Sequence, residues 1–306
     1  MSEIIECIPN FSTSQPRIVE AVLSEIKRVK GAYLLDHTYD DYYNRLVVTF
    51  VGDKTSVLKA ALASAVKAVK LIDMNKHKGQ HPRVGAVDIV PFVPIKNTSL
   101  KECVGIAKEF GRQLAEKCKV PVYLYGEAAS KPERSDIDWI RLGEYEKLAE
   151  MMKQPARKPD FGPNHPHPTA GATITGARKI MAGFNVNLST PDLAVAKKIA
   201  KAVHAKKGGF AYVKAMAASI PEKCITQIGM SISDFEKTPL YRVIELIKIE
   251  AARYNAQIVG SEFCGMAPLQ AVLDSAAYYM KVDNLTMNQV LEIAVQNVME
   301  KKAKTK

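Results

Sequence analysis

Apolar residues in the first 126 positions follow two rhythms. The segments IIECIP (4–9), AYLLDH (32–37), RLVVTFV (45–51), AVDIVPFV (86–93) and PVYLYG (121–126) are short and alternating or wholly apolar, which predicts strands. Between them the period lengthens to that of a helix. One helix is expected over 16–29, with Pro16 in its first turn, where a missing N–H costs nothing. A second is expected over 54–72, with Val57, Leu58, Ala61, Leu62, Ala65 and Val69 on one stripe. A third, about 99–118, opens with a capping box from Ser99 to Glu102. Up to residue 93 the order is β-α-β-β-α-β, the split βαβ arrangement.

From 127 the texture changes. Residues 127–154 are charged and read as mostly helical, and 155–178 are rich in proline and glycine, too long and too punctuated for a plain connector. The second half then repeats the first plan. GFNVNLS (183–189) reads as a strand, and Thr190-Pro191 reads as an N-cap followed by a first-turn proline. The helix runs to about Lys206 and ends at Gly208-Gly209. Strands follow at 211–217 and 224–232, a helix begins at Thr238-Pro239, a strand spans 257–263, and helices cover about 268–280 and 286–301. The expectation is an α+β protein of two tandem ferredoxin-like (βαββαβ) subdomains, residues 1–179 and 180–306, with mixed four-stranded sheets and helices on one face of each. A long loop ending at such a boundary is well placed to line a ligand site.

Composition narrows the classes. The 306 residues are 47% hydrophobic and 25% charged, an ordinary globular balance. No apolar run approaches the roughly 18 residues that cross a bilayer, so no membrane association is expected. The start, MSEIIECIPN, has no basic n-region or cleavage site, so no signal peptide is expected. Cys7, Cys103, Cys118, Cys224 and Cys264 are odd in number and lack CxxC spacing, which points to reduced thiols, a cytoplasmic setting and no metal site. The formal charge of +11, four units of it from the tail KKAKTK (301–306), allows an anionic ligand or simply a solvated lysine surface. No RNP-like aromatic motif accompanies it, so nucleic acid is not the expected partner.

Candidate chemistry concentrates in HKGQHPRVGAVDIVPF (77–92). His77 and His81 have the i, i+4 spacing of a helical zinc pair, but Gly79 and Pro82 oppose a helix and no acid or thiol completes a metal shell. His81 precedes a proline and lies two residues before Arg83. In an extended segment both side chains point the same way, which suits proton transfer beside an anion. Asn44 and Arg45 open a strand beside Asp40 and Asp41. Arg45 is either a surface ion-pair partner or a grip on a substrate carboxylate. Asn10, after Pro9, is explained equally by turn chemistry or by binding. The segment GPNHPHPTAG (162–171) fits neither a P-loop nor a GxGxxG fingerprint. It is either an ordered linker or a rigid wall for a flat heterocycle.

With these residues in view, the chain resembles the formiminotransferase family, which in vertebrates forms the N-terminal part of a formiminotransferase–cyclodeaminase. The resemblance rests on ECIPNFS (6–12), NRLVVTFVG (44–52), LIDMNKHKGQHPRVGAVDIVPFVPI (71–95), VPVYLYGEAA (120–129), DFGP (160–163), PTAGATITGAR (168–178) and VGSEFCGMAPLQAVLDSAAYY (259–279). It implies two similar α/β subdomains, a homodimer, and transfer of a formimino group from N-formimidoyl-L-glutamate to N5 of tetrahydrofolate in histidine breakdown. It makes His81 the catalytic residue. It maps the folate-binding stretch onto Gly162, Pro163, Asn164, His165, Pro166, His167, Pro168, Thr169, Ala170 and Gly171. Relatives vary where this chain carries HPHP, and the loop HTYDDYY (37–43) yields no catalytic aspartate by this route. The length leaves no room for a cyclodeaminase, so ammonia release from the product is expected of another protein.

The implied chemistry suits one imidazole of near-neutral pKa. It would take the proton when the folate nitrogen attacks the amidine carbon and return it to the departing glutamate nitrogen. Arg83 and Arg45 are the candidates for glutamate or folate carboxylates, Asn44 is expected beside them among the substrate-binding residues, and the net charge favours polyglutamylated folate. Two rivals remain at this point: a formyl group exchanged between 5-formyltetrahydrofolate and glutamate at the same site, and a basic nucleic-acid-binding protein.

Overall fold

The computed structural model describes residues 3–304, with side chains up to residue 299, so the side chains of the basic tail at 301–306 lie outside the described residues. The chain divides into two compact units, Met1–Lys179 and Ile180–Lys306.

The first unit begins with a strand broken by Pro9 into β1 (Ile4–Cys7) and β2 (Asn10–Phe11). Helix α1 (Pro16–Lys27) follows, with its proline in the first turn as expected. Strands β3 (Ala32–Asp40) and β4 (Arg45–Gly52) form a hairpin in which Asp40 faces Arg45. Helix α2 (Lys54–Leu71) is capped by Asp53, whose carboxylate accepts from the Ser56 N–H at 2.8 Å. Strand β5 (Val87–Lys96) leads to α3 (Leu100–Cys118), which carries the Ser99–Glu102 capping box, and then to β6 (Val122–Gly126). The sheet runs β3–β4–(β1, β2)–β5–β7–β6, where β7 is Thr173–Ala177.

Strand β7 pairs in parallel with both β5 and β6. Sequence patterning missed it because Thr-Ile-Thr-Gly-Ala looks like the end of a loop. Its small residues are required by its position. A Cβ on Gly176 would lie 2.2 Å from the Tyr125 carbonyl oxygen and 2.5 Å from the Tyr125 ring.

Two further expectations fail in this unit. Residues 127–154 are not mostly helical. They form a 3-10 turn and two short helices, α4 (Ile137–Arg141) and α5 (Leu148–Met151), interrupted by Gly143 and Glu144 in left-handed conformation. Nor are the helices confined to one face. Val122 and Leu124 join the core under α1–α3, which includes Phe50, Phe92 and Phe110. The alternate residues Tyr123 and Tyr125 turn to the other face and pack with Ile140, Leu148, Met152 and Ile174. The added strands have two apolar faces, and the irregular segment covers the second.

The second unit contains β8 (Ala182–Leu188), α6 (Leu193–Val203), β9 (Val213–Ile220), β10 (Ile225–Ile232), α7 (Leu240–Ala252), β11 (Ile258–Phe263), α8 (Leu269–Met280) and α9 (Leu291–Lys304). Its sheet order is β11–β8–β10–β9 and every pairing is antiparallel, so this sheet is not mixed. A strand slotted between two parallel ones runs against both. Ala182, Phe184, Val186 and Leu188 alternate into a core shared with α6 and α7. On the opposite face Gln227 donates to Asn187 at 2.9 Å and to Glu262 at 3.1 Å. The cap of α6 differs from expectation. Asp192, not Thr190, accepts from the Ala194 and Val195 N–H groups, because its side chain reaches them while the Thr190 hydroxyl bonds the Asp192 N–H.

Candidate functional site

The β3–β4 hairpin presents Asn44 and Arg45 at its tip. Asn44 takes a left-handed backbone, φ 46°, and its side chain bonds through both its oxygen and its nitrogen. Its Oδ1 accepts from the Ser14 N–H at 2.9 Å and the Ser14 hydroxyl at 3.1 Å, while its Nδ2 donates to the Lys78 carbonyl at 2.8 Å. The loop after α2 lies directly against this tip. Only glycine permits that approach at 79, since a Cβ there would sit 2.4 Å from the Tyr43 carbonyl oxygen. The Gln80 N–H donates to the Tyr42 carbonyl, and the loop then delivers His77, His81 and Arg83 to one place.

Hydrogen bonds fix both imidazoles. A guanidinium can only donate. Arg83 Nε therefore makes His77 Nδ1 an acceptor, at 3.3 Å, and leaves His77 Nε2–H to donate to the Asn44 carbonyl at 2.9 Å. Burial chiefly lowers the His77 pKa, with a further contribution from Arg83. Arg45 Nη1 likewise makes His81 Nε2 an acceptor at 2.9 Å, so the His81 proton sits on Nδ1. The same Nη1 donates to Asn10 Oδ1 at 2.9 Å, and Asn10 Nδ2 is held by the Ile8 carbonyl at 3.0 Å.

His81 is half-buried among polar groups rather than sealed in hydrocarbon. Burial, reinforced by the charges of Arg45, Arg141 and Arg83, pushes its pKa down to about 2. The expected near-neutral imidazole is thereby corrected. The sequence offered the histidine but not the guanidinium resting on its lone pair.

Arg83 does not present a free carboxylate-binding edge. It is 7% exposed, and its Nη1 donates to Glu144 at 2.6 Å and to Glu146 at 3.0 Å, with Nη2 also on Glu146. Burial opposes its charge, but the two carboxylates outweigh burial and raise its pKa. Asp88 is 1% exposed. It accepts from the Val84 N–H at 2.9 Å and pairs with Arg141. A narrow crevice is lined by Ser12, Tyr43, Asn44, Arg45, His77, His81, Arg83 and Asp88. Sequence reading missed Glu144, Glu146, Asp88 and Arg141. Asp88 stood within the signature, whereas the other three come from the charged segment expected to be helical and carry no spacing signal. Among the described residues no group of three or more His, Cys, Asp or Glu is placed to hold a metal, and no helix is long and apolar enough to cross a membrane.

Residues 162–171 belong to the same unit and are joined to the signature loop, though none of them lines the crevice. The Met74 N–H donates to the Thr169 carbonyl at 2.7 Å, Asn75 Nδ2 to the Pro168 carbonyl at 2.9 Å, and the Ala86 N–H to the Ala170 carbonyl at 2.9 Å. Gly85 and Gly171 face each other as a bridge. A Cβ on Gly85 would meet the Ala172 carbonyl oxygen at 2.1 Å, and one on Gly171 the Val84 carbonyl oxygen at 2.3 Å. His167 Nδ1 accepts from the Ala170 N–H at 3.0 Å and the Thr169 N–H at 3.3 Å, so this ring closes a turn, and burial lowers its pKa. His165 is exposed, with Nδ1 3.1 Å from the Pro166 carbonyl oxygen. Gly162 has φ +84°, and Pro163, Asn164 and Pro166 extend the stretch at the surface.

Two sequence profiles match this chain. The formiminotransferase domain, N-terminal subdomain, matches residues 4–178, and the formiminotransferase domain matches residues 183–303. The chain belongs to the formiminotransferase family. It is 41% identical over 294 residues to the glutamate formimidoyltransferase of Streptococcus pyogenes, covering 95% of this chain and 98% of that one. It is 42% identical over 292 residues to the glutamate formimidoyltransferase of Thermoplasma acidophilum, covering 94% and 96%. It is 44% identical over 291 residues to the formimidoyltransferase-cyclodeaminase of Rattus norvegicus, covering 93% of this chain and 54% of the longer protein.

Proposed function

We propose that the protein is a glutamate formimidoyltransferase, a one-carbon group transferase that moves the formimino group of N-formimidoyl-L-glutamate to N5 of tetrahydrofolate. What supports this reading most is one conjunction. Family membership spans both units, and in the first a neutral imidazole, His81, lies in hydrogen-bond contact with Arg45 in a polar crevice. The folate is a co-substrate, and no step needs a metal.

His81 acts as the proton carrier. The N5 lone pair attacks the amidine carbon while the N5 proton passes to His81 Nε2, giving a tetrahedral intermediate. Its collapse breaks the bond to the glutamate nitrogen, which leaves with the proton that His81 returns. Neutrality at rest suits the first half, and the depressed pKa makes the protonated ring a strong acid for the second. Arg45 is the partner for a donor carboxylate. Asn44 and Arg83 serve by holding the imidazoles and the hairpin tip, since their own hydrogen-bonding edges are occupied. The stretch Gly162 to Gly171 takes the folate. The four-stranded plan in each unit is read as ferredoxin-like, units 1–179 and 180–306 as the two formiminotransferase subdomains, and the working form as a cytoplasmic homodimer.

The test is incubation with tetrahydrofolate and formimidoylglutamate, followed by absorbance of the new folate. Transfer is expected, and His81→Ala is expected to lower kcat by about 10²–10⁴ with the fold intact. Absence of formimino transfer alongside turnover of 5-formyltetrahydrofolate with glutamate would replace the donor. A His81→Ala rate within threefold of wild type would remove His81 from the chemistry.

A further inference from the structure

The hydrogen bond between Arg45 and His81 presents a difficulty for a proton acceptor. Nη1 of a guanidinium carries two hydrogens. One goes to Asn10 Oδ1 and the other to His81 Nε2, both at 2.9 Å, so the lone pair that must accept a proton is already occupied. Asn10 is 8% exposed and its own amide is fixed on the Ile8 carbonyl, so the arm is held from behind. The charged neighbours compound the effect. The Arg83 and Arg141 guanidinium charges both act on His81, Arg83 being balanced by Glu144 and Glu146 and Arg141 by Asp88, and His77 lines the same crevice.

We propose that Arg45 is a carboxylate-operated cover on the catalytic base: it occupies His81 Nε2 at rest, and a donor carboxylate draws the guanidinium away and frees that nitrogen. This deepens, and rests on, the reading of the site as a formimino-glutamate site. A carboxylate is a stronger acceptor for a guanidinium than a neutral imidazole, because it adds charge and can take two parallel bonds. Exchange of partners also neutralises the positive charge beside His81, so the imidazole becomes free and more basic in one movement. The donor's carboxylate is then a condition for base catalysis and not only a handle for binding. An amidine without one would meet an imidazole whose acceptor is taken.

The decisive measurement separates this cover from turnover. The full-length protein labelled with ¹³C at histidine Cε1 is titrated with acid by NMR, with the His81 signal assigned by its loss in His81→Asn. Without ligand, the His81 signal is expected to remain that of the neutral ring down to the acid limit of the fold. With saturating glutarate, an unreactive dicarboxylate, a protonation midpoint is expected to come into view above that acid limit. In Arg45→Gln, which removes the ligand's partner, glutarate is expected to leave the signal unmoved, and folding of that variant is read from the same spectra. A His81 midpoint near 6.5 in the unliganded protein overturns the proposal. So does an unmoved signal in wild type up to the highest soluble glutarate, or an equal response in Arg45→Gln. Formimino transfer without the glutarate response rejects the cover and keeps the activity. The response without transfer rejects the activity and keeps the cover.

Discussion

The two units use one strand plan but treat charge differently. In each, four strands follow the same order around two helices. In the second unit the described ion pairs Lys248–Glu245 and Arg253–Glu250 join neighbours one helical turn apart at the surface. In the first, the pairs Arg83 with Glu144 and Glu146, Arg134 with Asp160, and Arg141 with Asp88 each bury at least one partner and connect distant segments. All of these distant connections involve residues 134–160, the irregular segment absent from the second unit. The difference teaches that the repeated plan supplies a scaffold and the groups that touch the imidazoles, whereas the insertion supplies the charges that hold Arg83 and Asp88 in place beside them.

Breaking a buried pair should test that contrast hardest. Arg134 is 1% exposed, bonded to Asp160 at 2.6 Å and to the Ala156 carbonyl at 3.1 Å. Asp160→Ala leaves that cation uncompensated, and a loss of about 3–5 kcal/mol is expected. Urea unfolding followed at Trp139 reports it, because this sole tryptophan lies in the first unit with the Arg157 guanidinium 3.6 Å from its ring centroid. An unchanged midpoint would mean that the pair is no more than a surface contact.

Gly85→Ala comes next. A methyl at that position meets two carbonyl oxygens of 170–172, and overpacking of this kind is expected to cost about 1–3 kcal/mol. The same variant should lower transfer activity, because the displaced backbone carries the loop of His81. Wild-type stability together with wild-type rate would show that the loop and the stretch are independent.

Acid should also discriminate between the units. His81 stays neutral in the folded chain, with its pKa down at about 2, but takes up a proton below its ordinary 6.5 when unfolded. The unfolded state then binds more protons, so this contribution to stability is present above pH 6.5 and is lost as pH falls toward 2. Between pH 6.5 and 5 the loss is about 1–2 kcal/mol. His81→Asn should flatten that part of the profile, again followed at Trp139. A profile as steep as wild type would assign the acid sensitivity elsewhere.

The smallest effect is expected in the second unit. Arg253→Ala removes an exposed partner of Glu250 and should change stability by less than about 1 kcal/mol, read by hydrogen exchange along α7. A larger loss would erase the contrast between the units.

Much of this molecule is legible in its pattern. Regular strands and helices appear within a few residues of their expected ends, because local period and capping determine them. Strand β7 escaped because small residues, demanded by Tyr125 beside Gly176, carry no β signature. Residues 127–154 looked helical because charge density resembles a solvated helix face, while their actual partners lie up to 70 positions away in sequence. His81 could be singled out by its proline and its nearby arginine. Its protonation state could not, since that depends on Arg45 and Asn10 meeting it across a hairpin and a strand.

The facing of Gly85 and Gly171 has a consequence for inheritance. With no room for a methyl on either side, the histidine-bearing loop and the proline-laced stretch behave as a single cassette. Grafting one of them from a distant relative should misalign the seam, whereas grafting both together should transplant cleanly.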